Sequence, residues 1–257
     1  MIKVIKVGGN IIDNEEKLHN FLKIYSKIEG QKILIHGGGK IATEMCEKLG
    51  IESQMIEGKR VTDYQTLKIV TMVYAGYINK NIVALLQLNG CNAIGLSGAD
   101  GNLISATKRK DPKIDWGYVG DNLVVDALKI NQLFALRLYP VFSAITHDGY
   151  GNLLNTNADT IAASIASALA KIDNEVVLVY CFEKKGVLTD INDDNSVIKN
   201  INPSLYSELK SKNIVNKGMI PKLDNAFQSI NEGVSTVKIC MAEDLINFDE
   251  AGTNISN

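Results

Sequence analysis

Lys6 stands in an apolar stretch, Val4-Ile5-Lys6-Val7, that ends in Gly8-Gly9. A lysine inside such a strand is costly to bury without an anionic partner. The two glycines beside it let backbone N–H groups approach an anion closely. The same residues also fit a lysine that runs out to solvent at the strand's edge, so this stretch alone leaves the anion open. A second cluster, His36-Gly37-Gly38-Gly39, precedes a helix-forming run. Three glycines at a helix start offer free N–H groups and the positive end of the helix dipole to an anion. A tight strand-to-helix turn needs only one of them, and His36 itself reads as structural. Arg60, two residues after Gly58, can pair a carboxylate through both arms of its guanidinium, or simply be solvated. Asn155-x-Asn157-x-Asp159 leads into a helix, where Asn157 suits the cap and Asp159 suits the dipole. Lys222 follows Pro221 at another helix start. A cation is unfavourable there, so Lys222 calls for an anionic partner.

These residues need a scaffold that brings them together. Residues 3–7 and 33–35 read as buried strands and 15–29 and 40–49 as helices, so the first fifty residues run β-α-β-α with a glycine cluster after each strand. That is a parallel α/β opening, in which ligands sit beyond the carboxyl ends of the strands. A short hairpin is expected over 54–62 with Gly58 at its turn, and a long helix from Thr62 to about Leu88. Strands are expected at 93–96, 141–143, 176–180, 186–188 and 236–240. Residues 103–125 alternate and read as antiparallel β outside the main sheet, and 148–152 as a turn. Helices are expected over 126–137, from Asp159 to about Lys171, and over 204–212 and 219–232. The tail from Asn247 shows little periodicity. A shift in composition near residue 171 marks a lobe boundary, giving lobes of 1–171 and 172–257.

With 257 residues, 46% hydrophobic and 22% charged, the chain has the composition of an ordinary globular protein. A net charge of −2 gives no global basic field for nucleic acid or a membrane surface. No apolar run of about 18 residues and no signal-peptide core occur. Cys46, Cys91, Cys181 and Cys240 are scattered and form no CxxC pair, and the three histidines lack metal-ligand spacing. Reduced thiols and a cytoplasmic location are therefore expected. Gly39-Lys40 is followed by Ile41, so there is no G-x-x-x-x-G-K-[ST] loop. The glycines do not make G-x-G-x-x-G, and the protein-kinase motif set is missing.

Taken in order, the motifs resemble the amino acid kinase family. They are Lys6-x-Gly8-Gly9, His36-Gly37-Gly38-Gly39, Gly58-x-Arg60-Val61-Thr62, Gly95-Leu96-Ser97-Gly98-x-Asp100, Asn155-x-Asn157-Ala158-Asp159 and Gly218-Met219-Ile220-Pro221-Lys222. The resemblance runs from residue 3 to about residue 242. It implies a three-layer αβα sandwich with an open, mainly parallel eight-stranded sheet. It further implies an N-terminal lobe for the acid substrate, a C-terminal lobe for ATP, and homodimerisation through the N-terminal lobes. The implied reaction takes N-acetyl-L-glutamate and ATP, with Mg²⁺, to N-acetyl-L-glutamyl 5-phosphate and ADP, the second step of arginine biosynthesis. An N-succinylglutamate substrate, or carbamate or uridylate within the same family, are the rivals.

Carried over residue by residue, Lys6 and Lys222 would neutralise the transferring phosphoryl group and Asp159 would hold both. Gly38 and Gly39, with Arg60 and Asn155, would bind the acid. Gly8, Gly9, Glu183, Lys184, Gly186 and Asn216 would serve the nucleotide. The acceptor is already a carboxylate at pH 7, so no general base is needed and none is evident. Two departures stand out. The family often has Thr-Asp-Val-x-Gly where this chain has Cys181-Phe182-Glu183-Lys184-Lys185-Gly186, and often ends Gly-Thr-Arg-Ile where this chain has Gly252-Thr253-Asn254-Ile255. Arginine-inhibited members usually carry an extra N-terminal helix, so a dimer without arginine feedback is expected.

Overall fold

The structure of the protein, a computed structural model, is described over residues 1–56, 58–172, 175–190, 192–215, 219–247 and 250–257. Its strands in chain order are β1 (Ile2–Val7), β2 (Gln31–His36), β3 (Met55–Ile56), β4 (Lys59–Arg60), β5 (Ala93–Leu96), β6 (Ile104–Lys108) and β7 (Gly120–Val125). There follow β8 (Tyr139–Ser143), β9 (Ile145–His147), β10 (Leu153–Asn155), β11 (Val176–Phe182), β12 (Asn200–Ile201), β13 (Thr236–Met241) and β14 (Thr253–Ile255). The helices are α1 (Gly9–Ile12), α2 (Glu15–Ser26), α3 (Gly39–Lys48), α4 (Tyr64–Thr71), α5 (Asn79–Leu88), α6 (Ala127–Ala135), α7 (Ala158–Ala170), α8 (Pro203–Ser211) and α9 (Ile220–Asn231).

Eight strands form one sheet in the order β12-β14-β13-β11-β1-β2-β8-β5. Every neighbouring pair is parallel except β13 and β14. The strands at its centre are buried on both faces, which is why β1, β2 and β11 read as nearly continuous apolar runs. Helices α6, α7 and α9 pack side by side, with α7 lying on β1, β2 and β11, while α2 and α5 pack together and α5 rests on β5 and β8. A smaller sheet, β10-β9-β6-β7, and the β3–β4 hairpin stand apart. This is the αβα sandwich expected from the sequence.

Three segments differ from that expectation. The stretch from Thr62 to Leu88 begins its helix at Tyr64, where Asp63 caps the end by accepting the Thr66 N–H at 2.7 Å. Between α4 and α5 it widens into a π-helical stretch, Met72–Ile78. Length and composition alone would let the whole 25-residue helix cross a membrane. Its buried face (Leu67, Val70, Val73, Ile82, Leu86) belongs to the protein core. Residues 186–188 make no ladder strand, and Leu188 forms one isolated bridge to Val197. The tail does form a strand: β14 lies antiparallel to β13 and parallel to β12. Three residues are too short to show a period, and they follow Gly252, at φ +76, where an added Cβ would lie 2.3 Å from the Ile239 carbonyl.

Lys32, on β2, is buried, and its Nζ donates to the carbonyls of Tyr25 (2.9 Å), Ser26 (3.0 Å) and Ile28 (2.6 Å). The Tyr25 and Ser26 carbonyls close the last turn of α2 and Ile28 follows it, so the cation sits at the negative pole of the helix. Lys32→Met should destabilise the protein by about 3 kcal/mol, lowering Tm by roughly 6–12 °C in calorimetry. A loss below about 1 kcal/mol would show that water satisfies these carbonyls instead.

Candidate active site

The carboxyl ends of β1 and β11 and the first turns of α7 and α9 converge. Lys6, next to last in β1, places Nζ 2.7 Å from Asp159 Oδ1, with side chains only 11% and 17% exposed. Asp159 lies in the first turn of α7, where Asn157 caps the helix by accepting the N–H groups of Asp159 and Thr160. Lys222 comes from the start of α9. Burial lowers its pKa, with Asp159 opposing the shift and Lys6 adding to it. The three charges therefore act on one another as a group of net charge +1, in a setting where a further anion is favoured.

Phe182, the last residue of β11, holds this group in shape. Its ring centroid lies 5.3 Å from Lys6 Nζ and 4.4 Å from Lys222 Nζ, within cation–π range of both. Motif comparison passed over it as a departure. The signal that would have found it is an aromatic at the carboxyl end of the most apolar strand.

A cleft of about 390 Å³ is lined by Lys6, Gly8, Gly9, Phe182, Glu183, Lys184, Gly186 and Lys222. A broader groove of about 1170 Å³ along α7 opens onto the same Asp159 and Lys222. Among the described residues, those expected to serve a nucleotide therefore share one space, but they are not equivalent within it. Gly8 donates its N–H to the Cys181 carbonyl at 2.9 Å, so that N–H is not free for a phosphate and the residue instead lets β1 run close to β11. The Glu183 carboxylate accepts from Asn10 Nδ2 at 2.7 Å and pairs with Lys17 at 3.3 Å, and the first of these bonds lowers its pKa most. Lys184 pairs with Asp194 at 2.8 Å. Gly186 has a packing reason: a Cβ there would lie 2.6 Å from Thr253 Oγ1, which accepts the Val187 N–H at 2.8 Å. The Gly252-Thr253 pair of the tail thus fastens this turn. Asn216, Lys217 and Gly218 lie outside the described residues.

The expected acid-binding residues form a second cluster. Arg60 is 6% exposed. Its Nη2 donates to the Gly39 carbonyl at 2.8 Å and to Thr43 Oγ1 at 2.7 Å, and its Nη1 to Ser53 Oγ. Thr62 Oγ1 donates to the Arg60 carbonyl and accepts from Asn155 Nδ2 at 2.9 Å. Among the described residues these guanidinium partners are neutral oxygens, a setting in which a carboxylate would stabilise the buried charge. Gly37 faces Ala158, the neighbour of Asp159, so the glycine loop stands beside the charged group. By contrast, Ser97 and Asp100 serve a local turn: Asp100 Oδ2 accepts the Ser97 N–H and hydroxyl at 2.6 and 2.7 Å.

His36 is fully buried. Burial lowers its pKa to about 4, outweighing the hydrogen bond to Gly37. Between that value and the unfolded 6.5 the unfolded chain binds the proton and the folded chain does not, so stability falls as pH falls through this window. From pH 7 to pH 5 the loss from His36 is about 2 kcal/mol. Urea unfolding of the wild type and of His36→Asn at both pH values should show a shallower loss in the variant. Equal losses would mean that the imidazole is protonated within the fold.

The model of the amino acid kinase family matches residues 1–241. The chain is 57% identical over 246 residues to a protein of Cytophaga hutchinsonii named acetylglutamate kinase, covering 95% of this chain and 93% of that one. A Methanopyrus kandleri protein of the same name is 38% identical, covering 95% and 97%. Among solved structures, smu.665 from Streptococcus mutans UA159 superposes with a TM-score of 0.80 at 26% identity, covering 99% and 98%. Giardia carbamate kinase, at 13% identity and a TM-score of 0.72 over 100% and 98%, shares the fold. With its family model, sheet order and clustered lysines in agreement, the chain belongs to the amino acid kinase family.

Proposed function

We propose that the protein transfers the γ-phosphoryl group of ATP to the side-chain carboxylate of N-acetyl-L-glutamate, giving N-acetyl-L-glutamyl 5-phosphate and ADP in the second step of arginine biosynthesis. The observation that carries this reading is the group Lys6–Asp159–Lys222, a net cation at the junction of two glycine turns. The names of the relatives agree with it.

A carboxylate oxygen of the acid attacks the γ-phosphorus, the new P–O bond forms, and the bond to the β–γ bridging oxygen breaks with its electrons leaving on ADP. No proton moves, because the nucleophile is already ionised. Catalysis then depends on alignment and on neutralising charge as it shifts between the two oxygens. Lys6 and Lys222 supply the neutralisation and Asp159 keeps both in register. Gly38, Gly39, Arg60 and Asn155 hold the acid, Arg60 meeting its α-carboxylate. Gly9, Glu183, Lys184, Gly186 and Asn216 fall to the nucleotide, with Gly8 shaping its turn. Among the described residues there is no cluster of three metal-ligating side chains, and Asp159 is engaged by Lys6, so Mg²⁺ fits best as the counter-ion of the triphosphate, held by phosphate oxygens.

On this reading residues 1–171 serve the acid and dimerisation and residues 172–257 serve ATP. Exposed Met72 and Tyr77 on the long helix favour a homodimer through the first lobe. A cytoplasmic location is in keeping with four free, buried thiols.

Trapping with hydroxylamine tests the assignment. N-acetyl-L-glutamate with MgATP should yield the hydroxamate, and unacylated glutamate should yield little. An N-succinylglutamate arm measures acyl selectivity. No hydroxamate from any acid would overturn the reading.

A further inference from the structure

We infer that His36 and Asn79 are positioning residues for the acid substrate, a neutral imidazole–carboxamide clamp that turns the Gly37–Gly39 loop so that its N–H groups face the cleft. The inference rests on the proposed reading that Gly38 and Gly39 hold the acid.

Both side chains are buried, His36 completely and Asn79 to 1% exposure. His36 Nδ1 lies 2.9 Å from the Gly37 carbonyl. A carbonyl only accepts, so Nδ1 carries the proton and Nε2 is the acceptor. Nε2 receives Asn79 Nδ2 at 3.0 Å, and the same amide nitrogen donates to the Val141 carbonyl at 2.9 Å. That second carbonyl fixes which way the Asn79 amide faces. Asn79 Oδ1 accepts from Lys80 Nζ at 3.2 Å, and Lys80 also donates to the Gly95 carbonyl at 3.0 Å. Every polar atom of the two side chains is thereby engaged.

The clamp acts through one peptide plane. The Gly37 carbonyl and the Gly38 N–H belong to the same trans peptide and point in opposite directions. Holding the carbonyl on the buried imidazole therefore turns the Gly38 N–H outward. Next, the Gly38 carbonyl accepts the first helical bond of α3, from the Ala42 N–H at 3.0 Å, which leaves the Gly39 N–H at the open helix end. Gly38 has φ +152, and a Cβ there would lie 2.1 Å from Ile78 Cδ1. The loop thus lies flat against the residues that the π-helical stretch delivers, Tyr74 and Ile78, with Asn79 immediately after them. Gly95 completes the arrangement, since a Cβ on it would lie 2.0 Å from Asn79 Oδ1. His36, the widened helix and Gly95 have no part in phosphoryl transfer as described above, and they meet at this one point.

Steady-state kinetics of His36→Leu, Asn79→Leu and Gly95→Ala test the clamp, with melting curves recorded for each. We expect the KM for N-acetyl-L-glutamate to rise about tenfold in each, with the KM for ATP unchanged. His36→Asn, whose amide can still reach the Gly37 carbonyl, should recover most of the loss. The His36→Leu/Asn79→Leu double variant should lose little more than either single one, because the two act as a unit. Should the leucine variants fail to fold, His36→Asn and Gly95→Ala decide, together with the ¹⁵N imidazole shifts of the wild type, which should report the Nδ1–H form. Parallel rises in both KM values, additive losses, or an Nε2–H imidazole would overturn the clamp. So would unchanged acid KM values in clamp variants while Arg60→Lys still raises that KM. A wild type that makes no hydroxamate would instead overturn the functional reading beneath it.

Discussion

Lys6→Ala should lower kcat about 10²–10³-fold while leaving both KM values within about threefold. On the proposed reading Lys222 also faces the ground-state triphosphate, so losing one cation should cost little binding. During transfer, charge shifts between the attacking and departing oxygens, and a fixed cation at that point has no substitute. Lys6 is fixed from several sides: by its place in the central strand, by Asp159 at 2.7 Å and by the Phe182 ring at 5.3 Å. The substitution leaves the apolar side chains of β1 in place, so the variant should fold, and circular dichroism together with a melting curve checks this. An unchanged kcat in folded protein would remove Lys6 from the mechanism. A KM for ATP that rises as far as kcat falls would make it a ground-state contact instead.

Arg60→Lys should raise the KM for N-acetyl-L-glutamate about 30- to 100-fold with little change in kcat or in the KM for ATP. The guanidinium donates through Nη2 to the Gly39 carbonyl and Thr43 and through Nη1 to Ser53, which sets its plane. A lysine keeps the charge but cannot hold those oxygens and still donate to a carboxylate from a fixed plane. The comparison with Lys6 is informative because both residues are cations near the same glycine turns. One should act on kcat and the other on the KM of the acid alone. If Arg60→Lys raised the KM of ATP equally, the guanidinium would be supporting the glycine loop as a whole rather than meeting the acid.

The cations were legible in the sequence because their positions are anomalous. A lysine within an apolar strand and a lysine at a helix start both ask for an anion, and the structure sets them around one aspartate. The glycine clusters were legible as turns, but not how their N–H groups are used. The register that brings Gly8 to the Cys181 carbonyl is set by pairing between β1 and a strand about 170 residues away. Phe182 escaped for a related reason, since nothing local shows that β11 ends between two lysines. Thr43, Ser53 and Tyr74, which surround Arg60, come from three different segments. Strand β14 was missed because a three-residue strand carries no period, and its place is set by pairing with β12 and β13 and by the Thr253 hydroxyl on the Val187 N–H. Long periodic segments thus declared themselves, while contacts fixed by distant pairing did not.

In the proposed reaction the side-chain carboxylate of the acid attacks the γ-phosphorus directly. N-acetyl-L-glutamate labelled with ¹⁸O in both oxygens of that carboxylate, turned over with MgATP in hydroxylamine, tests it in one ³¹P NMR spectrum. Hydroxylamine attacks the acyl carbon and releases inorganic phosphate that keeps the bridging oxygen. Each phosphate released should carry one ¹⁸O, in amounts matching the hydroxamate. Unlabelled phosphate would show that water, not the carboxylate, had taken the phosphoryl group, and would overturn direct attack.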